Sequence, residues 1–464
     1  MKATRFSVLA GVLVLFSGCT AYHSLELNPA DTQREFERRT LTDPRVRHRI
    51  QTLLPANQDE LGWSTVQLLI AANEFNPTLA EAREHLGETA AGLTTARAIP
   101  NPSVSLGSEY DLQQSGEPSW LYSISTSFLL DTSLARKIRL HAAQAGVRSA
   151  RLDFAESIWN VRRDIHAALV SILLEERRVA LLSAAEQAND QFAKAIDARV
   201  HEGEAAPSEH LQARLELTRS RVALADANQK LSEAKAKLAT AVGVPVGALD
   251  GQPLTLIELD APENVDEARI DTLRAHAALA RIDLERAIVD YDTRELELQE
   301  QVRLQYPQLS LGPGYTWDHG IPKATFGISF TAPIFNRNRG PIAEAAARRA
   351  GAVQHVMTVQ QHAVQEIDTA RTAYHEQIKA LILARTQSKA AQDVVEQLQR
   401  AVSLGAEDKP TLLAARIAAN ADMLAELDAL ERVHIARGQL EDALRTPLND
   451  TETTLQHSLV AATR

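Results

Sequence analysis

Residues 305–345 read QYPQLSLGPGYTWDHGIPKATFGISFTAPIFNRNRGPIAEA, and the alternation inside them decides the fold. Apolar side chains recur two residues apart, at Leu309, Leu311, Tyr315 and Trp317 and again at Ala324, Phe326, Ile328 and Phe330, with small or polar residues between. That is a strand period, because successive side chains of a strand point to opposite faces. Asp318-His319-Gly320-Ile321-Pro322 is a turn-rich connection, so the stretch predicts a hairpin of two strands, each about ten residues long. Strands of that length with one apolar face suit a barrel that crosses an outer membrane.

The hairpin has a twin. Pro102–Tyr110, PSVSLGSEY, matches Pro307–Tyr315, PQLSLGPGY, at an offset of 205 with five of nine positions identical. The same offset pairs Leu79 with Leu284, Ala82 with Ala287, Ala142 with Ala347 and Gly146 with Gly351. Further on the offset becomes 202 and pairs Gly203, Leu211, Ala213, Arg214 and Pro245 with Gly405, Leu413, Ala415, Arg416 and Pro447. The chain is therefore a duplication, with repeats at 64–242 and 267–446 joined by a Pro- and Gly-rich linker, 243–266. Each repeat predicts a helix (about 64–98 and 267–304), a strand hairpin (103–130 and 308–333), a long helix (about 134–200 and 341–402) and a return helix (about 208–242 and 410–445). Residues 19–63, punctuated by Pro29, Pro44 and Pro55, predict an extended segment, and the polar tail 447–464 predicts no element.

Helix lengths limit the architecture. A helix of some 67 residues rises roughly 100 Å at about 1.5 Å per residue, far beyond a globular domain. The two shorter helices of a repeat together match it, which predicts two half-length helices stacked end to end beside one full-length helix. Alanines such as Ala142, Ala145, Ala150, Ala347, Ala350 and Ala352 permit close helix approach along that length. The helices taken alone are equally compatible with a coiled coil.

Composition agrees. Aromatic residues make up only 5% of the 464 residues, and the formal net charge of -11 with no basic stripe argues against nucleic acid as a partner. Residues 1–18 pair Lys2 and Arg5 with an apolar run too short to span a bilayer, which is a secretory signal. Cys19 closes it as the single cysteine, so a disulfide within the chain and a thiolate metal cage are both excluded. Phe16-Ser17-Gly18-Cys19 resembles a bacterial lipoprotein box, with Phe16 at a place usually aliphatic, and makes Cys19 the candidate for lipidation.

In the first hairpin Val104, Leu106, Tyr110, Trp120, Tyr122, Ile124, Phe128 and Leu130 alternate with Ser103, Ser105, Gly107, Ser123, Ser125 and Ser127. One face is apolar and the other small and polar, the pattern of a barrel with a wet interior; a soluble sheet with one buried face shares it. Tyr110, Trp120, Tyr122, Tyr315 and Trp317 gather at the turn ends, where an interfacial aromatic girdle sits. Four strands cannot close a membrane barrel, which takes about eight or more, so chains must pool them.

With those residues in view, nearly the whole mature chain from Asn76-Pro77 onward resembles the TolC family of outer-membrane efflux proteins. The most specific match is Thr331-Ala-Pro333-Ile-Phe335-Asn336-Arg-Asn-Arg-Gly340-Pro341-Ile342, similar to the family's strand-to-helix junction. His276 to Leu284 is similar to the family's start of the second repeat, except that Ile282 stands where Pro is usual. The resemblance implies a mainly α fold with a small β part. It implies a homotrimer that pools four strands per chain into an outer-membrane barrel above a helical tunnel crossing the periplasm of a Gram-negative bacterium. The implied partners are outer-membrane lipid, a periplasmic adaptor (membrane fusion) protein and an inner-membrane transporter of the RND type. At the junction, Gly340 is expected to take the backbone change and Pro341 the first helical position, while Asp131-Thr132-Ser133 supplies cap candidates in the first repeat.

The turns at Val200-His-Glu-Gly203 and Val402-Ser-Leu-Gly405 match the family's periplasmic tips, where an adaptor docks; glycines that merely close helix hairpins explain them as well. Family members often narrow the tunnel with carboxylate rings, and Glu407, Asp408, Asp422 and Glu426 are the candidates near the second tip, with solvated helix charge as the plainer reading. No HExxH, GxSxG, P-loop or CxxC motif occurs, which gives no ground for an enzyme, a cofactor or a catalytic residue. A periplasmic coiled-coil adaptor or structural lipoprotein is the alternative outside the family. The stretch LGPGYTWDHG with PIFNRNRGPIAEA looks like the branch associated with cobalt-zinc-cadmium efflux, and organic toxicant efflux or protein secretion are alternatives within the class.

Overall fold

Proline and a preceding capping side chain start more of this structure than the sequence reading allowed. The computed structural model describes residues 22–54, 62–110, 112, 120–131, 134–262, 265–318 and 320–461; Cys19, the signal segment, Thr132, Ser133 and His319 lie outside them. The extended segment expected over 19–63 is corrected to two short helices, α1 (Pro29–Glu37) and α2 (Pro44–Leu53). Asn28 Oδ1 accepts from Ala30 N at 3.1 Å and Asp43 Oδ1 from Arg45 N at 2.8 Å. Each proline thus stands at a first helical position, where no N–H is needed, and opens a helix instead of breaking one.

The helices expected over 64–98 and 267–304 are each two helices. The first divides into α3 (Thr65–Phe75) and α4 (Pro77–Arg97), the second into α7 (Glu267–Ala280) and α8 (Ile282–Arg303). Asn76 makes the first break. Its Oδ1 caps α4 through Thr78 N and Leu79 N, and its Nδ2 donates to Ala241 O at 2.7 Å. Arg281 makes the second, extended at φ -65°, ψ 146°, and its Nη1 donates to Ala443 O at 2.8 Å.

Between these pieces lie strands β1 (Ser103–Tyr110), β2 (Trp120–Leu130), β3 (Leu309–Asp318) and β4 (Ile321–Phe330), the long helices α5 (Ala135–His201) and α9 (Arg339–Ser403), and the return helices α6 (Pro207–Val242) and α10 (Lys409–Leu444). With 67 residues, α5 runs roughly 100 Å. It packs against α4 over its upper part and α6 over its lower part, and α9 does the same with α8 and α10. The tail expected to be featureless carries α11 (Asp450–Ala461), because Leu455 and Leu459 give it an apolar side that enters the core of the first repeat.

All four strands form one antiparallel sheet in the order β1-β2-β3-β4. Two hydrophobic cores sit at mid-height. One joins α2, α3, α5, α6 and α11, and the other joins α5, α7, α9, α10 and Leu259 of the linker. The linker is held by a bridge in which Trp63 N donates to Pro253 O at 2.7 Å and Thr255 N to Trp63 O at 3.1 Å.

Candidate channel surfaces and the buried midsection

Strand register brings the apolar residues to one face. Leu106 faces Ile124, Ile124 faces Tyr315 and Tyr315 faces Ala324; lower down Phe128 meets Leu311 and Leu311 meets Ile328. Serines and glycines line the other face, where Ser105 pairs with Ser125, Ser125 with Gly314 and Gly314 with Thr325. The apolar face is uncovered, with Leu106 78% and Phe326 68% exposed. The outer edges of β1 and β4 have no neighbouring strand in the four-strand order. An apolar face with two open edges is a structure that still requires a partner or a lipid. The aromatic residues named from sequence come together at the hairpin ends. Tyr110 and Trp120 are paired with ring centres 4.9 Å apart, Trp120 stacks on Tyr122 at 5.8 Å, and Tyr122 pairs with Trp317.

At the strand-to-helix junction the expectation for Gly340 and Pro341 is corrected. α9 begins at Arg339, and the left-handed residue is Asn338, at φ 59°. Its Nδ2 donates to Gln301 O at 2.8 Å, so the side chain both tolerates the conformation and anchors it on α8. Pro341 is the third residue of α9, inside the first turn, where a backbone N–H has no intrahelical acceptor to lose. In the first repeat Leu134 takes the same conformation at φ 58°, and Asp131 caps α5 by accepting from Ala135 N and Arg136 N. Pro333, Phe335 and Asn336 lie in the connection, where Asn336 Oδ1 accepts from Asn338 N.

At the opposite end the two tips are alike in backbone and unlike in caps. Gly203 has φ +77° and Gly405 φ +73°, and their amides donate to Val200 O and Val402 O. Nothing lies within 4 Å of a Cβ at either place, so glycine is required there by the backbone and not by crowding. Asp408 caps α10 through Thr411 N at 2.9 Å, and hydrogen bonds from the Thr411 side chain and then its backbone hold the carboxyl below the usual range. Asp422 accepts from Gln387 Nε2 at 2.6 Å and Glu426 lies 3.8 Å from Arg385 Nε, so both engage side chains of α9. Glu407 is exposed.

The sequence reading missed a charged centre buried at mid-height. Arg162 of α5 is 3% exposed, and its Nη1 donates to Glu441 Oε2 of α10 at 2.5 Å. Its Nε and Nη2 donate to Glu452 Oε2 of α11, at 2.8 and 2.5 Å. Burial alone would lower the Arg162 pKa, but the carboxylates of Glu441 and Glu452 hold it above its ordinary value. Glu441 is pushed up by burial and brought down to about 2 by Arg162 and its other cationic neighbours. Burial and then Arg162 push His166 down to about 3, leaving it neutral, and its Nε2 has no partner in the structure. Beside the centre, Trp159 Nε1 donates to Asp442 at 2.9 Å, and Arg178 ties α5 to Asp428 and Glu431. One signal was available: Arg162 lies on the stripe of Ile158, Ile165 and Leu169, the buried face of an Ala-rich helix. Among the described residues no group of three or more His, Cys, Asp or Glu side chains is arranged to hold a metal ion, and no helix is long and apolar enough to cross a membrane.

The family of outer membrane efflux proteins matches residues 68–244 and 281–444, which takes in the four strands and the long and return helices of both repeats and leaves out α7. The chain belongs to that family. Among curated proteins it is similar to the cobalt-zinc-cadmium resistance protein CzcC of Cupriavidus metallidurans, at 26% identity over 281 residues that cover 59% of this chain and 63% of CzcC. The match therefore spans less than two thirds of that relative's length. Among solved structures, the outer membrane protein VceC of Vibrio cholerae has TM-score 0.65 at 17% identity, covering 83% of this chain and 97% of VceC. The open state of the MtrE outer membrane channel of Neisseria gonorrhoeae has TM-score 0.67 at 17% identity, covering 82% of this chain and 88% of MtrE. Family membership and this shared fold agree with the duplicated architecture, mainly α with one small sheet.

Proposed function

We propose that the protein is the outer-membrane exit duct of a tripartite efflux pump. The observation that carries this reading is a four-stranded sheet with an uncovered apolar face and two open edges, set on helices roughly 100 Å long, in an outer membrane efflux protein. A sheet of this kind is completed by further copies of itself, and three copies supply twelve strands around a wet lumen lined by the serine and glycine face. The chain does no bond chemistry in this reading; it conducts what an inner-membrane transporter, of the RND type, delivers through a periplasmic adaptor.

The adaptor docks at the tips around Val200, Gly203, Val402 and Gly405, and lipidation of Cys19 fastens the chain to the outer membrane. Its cargo is divalent heavy-metal cations, a reading supported by the similarity to CzcC. Deletion of the gene sensitises cells to cobalt, zinc and cadmium while leaving resistance to organic toxicants unchanged, and the plasmid-borne gene restores growth. Unchanged metal tolerance with altered toxicant tolerance overturns the cargo and keeps the duct; no phenotype with either overturns both. Replacing Gly203 and Gly405 together by bulky residues abolishes efflux while the assembled protein still reaches the membrane, and intact efflux sinks the docking assignment.

A further inference from the structure

In the tip-side half of the molecule α6 packs on α5, α5 on α10 and α10 on α9, so among the described residues α6 and α9 end a row of four helices. A helix at the end of a row needs an apolar stripe on one side only. Both of these have two. Toward α5, α6 turns Ala213, Leu217, Ser220, Leu224 and Ala227, at alternating steps of four and three residues. Leu211, Leu215, Thr218, Val222 and Ala225 repeat those steps two residues out of phase, which puts them on roughly the opposite side. There Leu211, Leu215 and Val222 are 65%, 50% and 56% exposed. Toward α10, α9 turns its buried Leu381 and Ser388 and its half-buried Val395. Its outer stripe is Leu383, Gln387, Ala390, Val394 and Gln397, with Leu383 71% and Val394 50% exposed. Four–three steps on two sides of one helix belong to a helix with a coiled-coil neighbour on each.

The two outer stripes also stand at the same levels. Arg221 meets Glu186 across the first hairpin and Gln387 meets Asp422 across the second, so distance from Gly203 or Gly405 along the chain measures height. Arg178 joins Asp428 and Glu431 at matching distances, which sets the two tips level. On that scale Leu211 and Gln397 lie 8 residues from their glycines, Thr218 and Ala390 15, Ala225 and Leu383 22, and Leu215 and Val394 12 and 11. At mid-height the flanks are opposite in charge. On the α6 side, where Arg39 donates to Gly243 O, residues 29–53 hold six arginines against four carboxylates. On the α9 side, residues 266–280 and 360–376 together hold six carboxylates against three arginines.

We propose that α6 of one copy and α9 of the next zip together antiparallel along these stripes, with Leu215 against Val394 of the next copy as the apolar centre of the seam. This seam is the tip-side counterpart of the shared barrel and presupposes the pooled copies proposed above. Disulfide trapping on the full-length protein in isolated outer membranes tests it. Within one chain α5 and α10 stand between the two positions, so a bond joins copies only. Leu215→Cys combined with Val394→Cys gives, after mild oxidation, a reductant-sensitive ladder of two and three chains, and either substitution alone, beside the native Cys19, gives none. Ala225→Cys with Leu383→Cys gives the same ladder. Leu215→Cys with Leu383→Cys is out of level by about 15 Å, too far for a disulfide, and stays unlinked. If neither matched pair links while native mass spectrometry still counts three chains, the seam is wrong and the pooled barrel stands. Equal linking by the unmatched pair overturns the register, and a single chain in the mass spectrum overturns seam and barrel together.

Discussion

The two repeats reach the same backbone by different chemistry, and the differences fall at corresponding positions. Asn76 and Arg281, 205 residues apart, each break the first helix of a repeat, and each donates to a carbonyl, Ala241 O or Ala443 O, at sites 202 apart. Pro77 follows the first break and Ile282 the second. The missing proline seen from sequence does not heal the break, because the Arg281 guanidinium holds the chain from outside the helix. At the ends of α6 and α10 the left-handed residue is Gly243 at φ 86° in one repeat and Arg445 at φ 52° in the other. A Cβ on Gly243 would meet Phe75 O at 2.5 Å, whereas Arg445 has room and pairs with Glu156 at 3.0 Å. At mid-height the contrast is sharpest. Arg162 corresponds to the fully buried Ile367, and Glu441 to the buried Ala239. Each repeat therefore holds one charged and one apolar member of these pairs, and the two charged members, Arg162 of the first repeat and Glu441 of the second, join α5, α10 and the C-terminal helix.

Breaking that charged joint gives the largest effect. Arg162→Ile leaves Glu441 and Glu452 buried without their counter-charge and costs about 3–5 kcal/mol of unfolding free energy, measured by denaturant titration. Importing the apolar solution whole, as Arg162→Ile with Glu441→Ala and Glu452→Leu, recovers most of the loss, since apolar groups can replace a complete buried ion cluster at little cost. If the triple variant is as unstable as the single one, the two repeats are not equivalent at this level. Gly243→Ala comes next, at about 2–4 kcal/mol from left-handed strain and the clash with Phe75 O, while Arg445→Gly changes thermal stability by less than about 1 kcal/mol. Asn76→Leu costs about 1–2 kcal/mol by removing the cap of α4 and the bond to Ala241 O. The smallest effect has the opposite sign: Ile282→Pro is neutral or stabilising by up to about 1 kcal/mol, because Arg281 is already extended and a first helical position needs no N–H.

Periodic features were legible in the sequence and cross-chain ones were not. The strands and α5, α6, α9 and α10 follow from period and length, and the tip glycines from their equivalent positions in the two repeats. Prolines misled in the N-terminal segment, where Pro29 and Pro44 start helices once Asn28 and Asp43 are seen as caps. The C-terminal helix was hidden because its apolar side is short and counts only when the first repeat lies beneath it. Arg162, Glu441 and Glu452 lie 279 and 290 residues apart along the chain, and nothing local to any one of them announces the other two. Asp422 and Glu426, picked out as tunnel charges, engage Gln387 and Arg385 of α9, a partnership that helix spacing alone does not report.

The four strands of one chain cannot close a membrane barrel. Native mass spectrometry of the full-length protein extracted from outer membranes counts the chains directly, the 464-residue sequence amounting to 50.8 kDa each. Three chains, with twelve strands in one barrel, are expected; a monomer, or a dimer with eight strands, contradicts the pooled barrel.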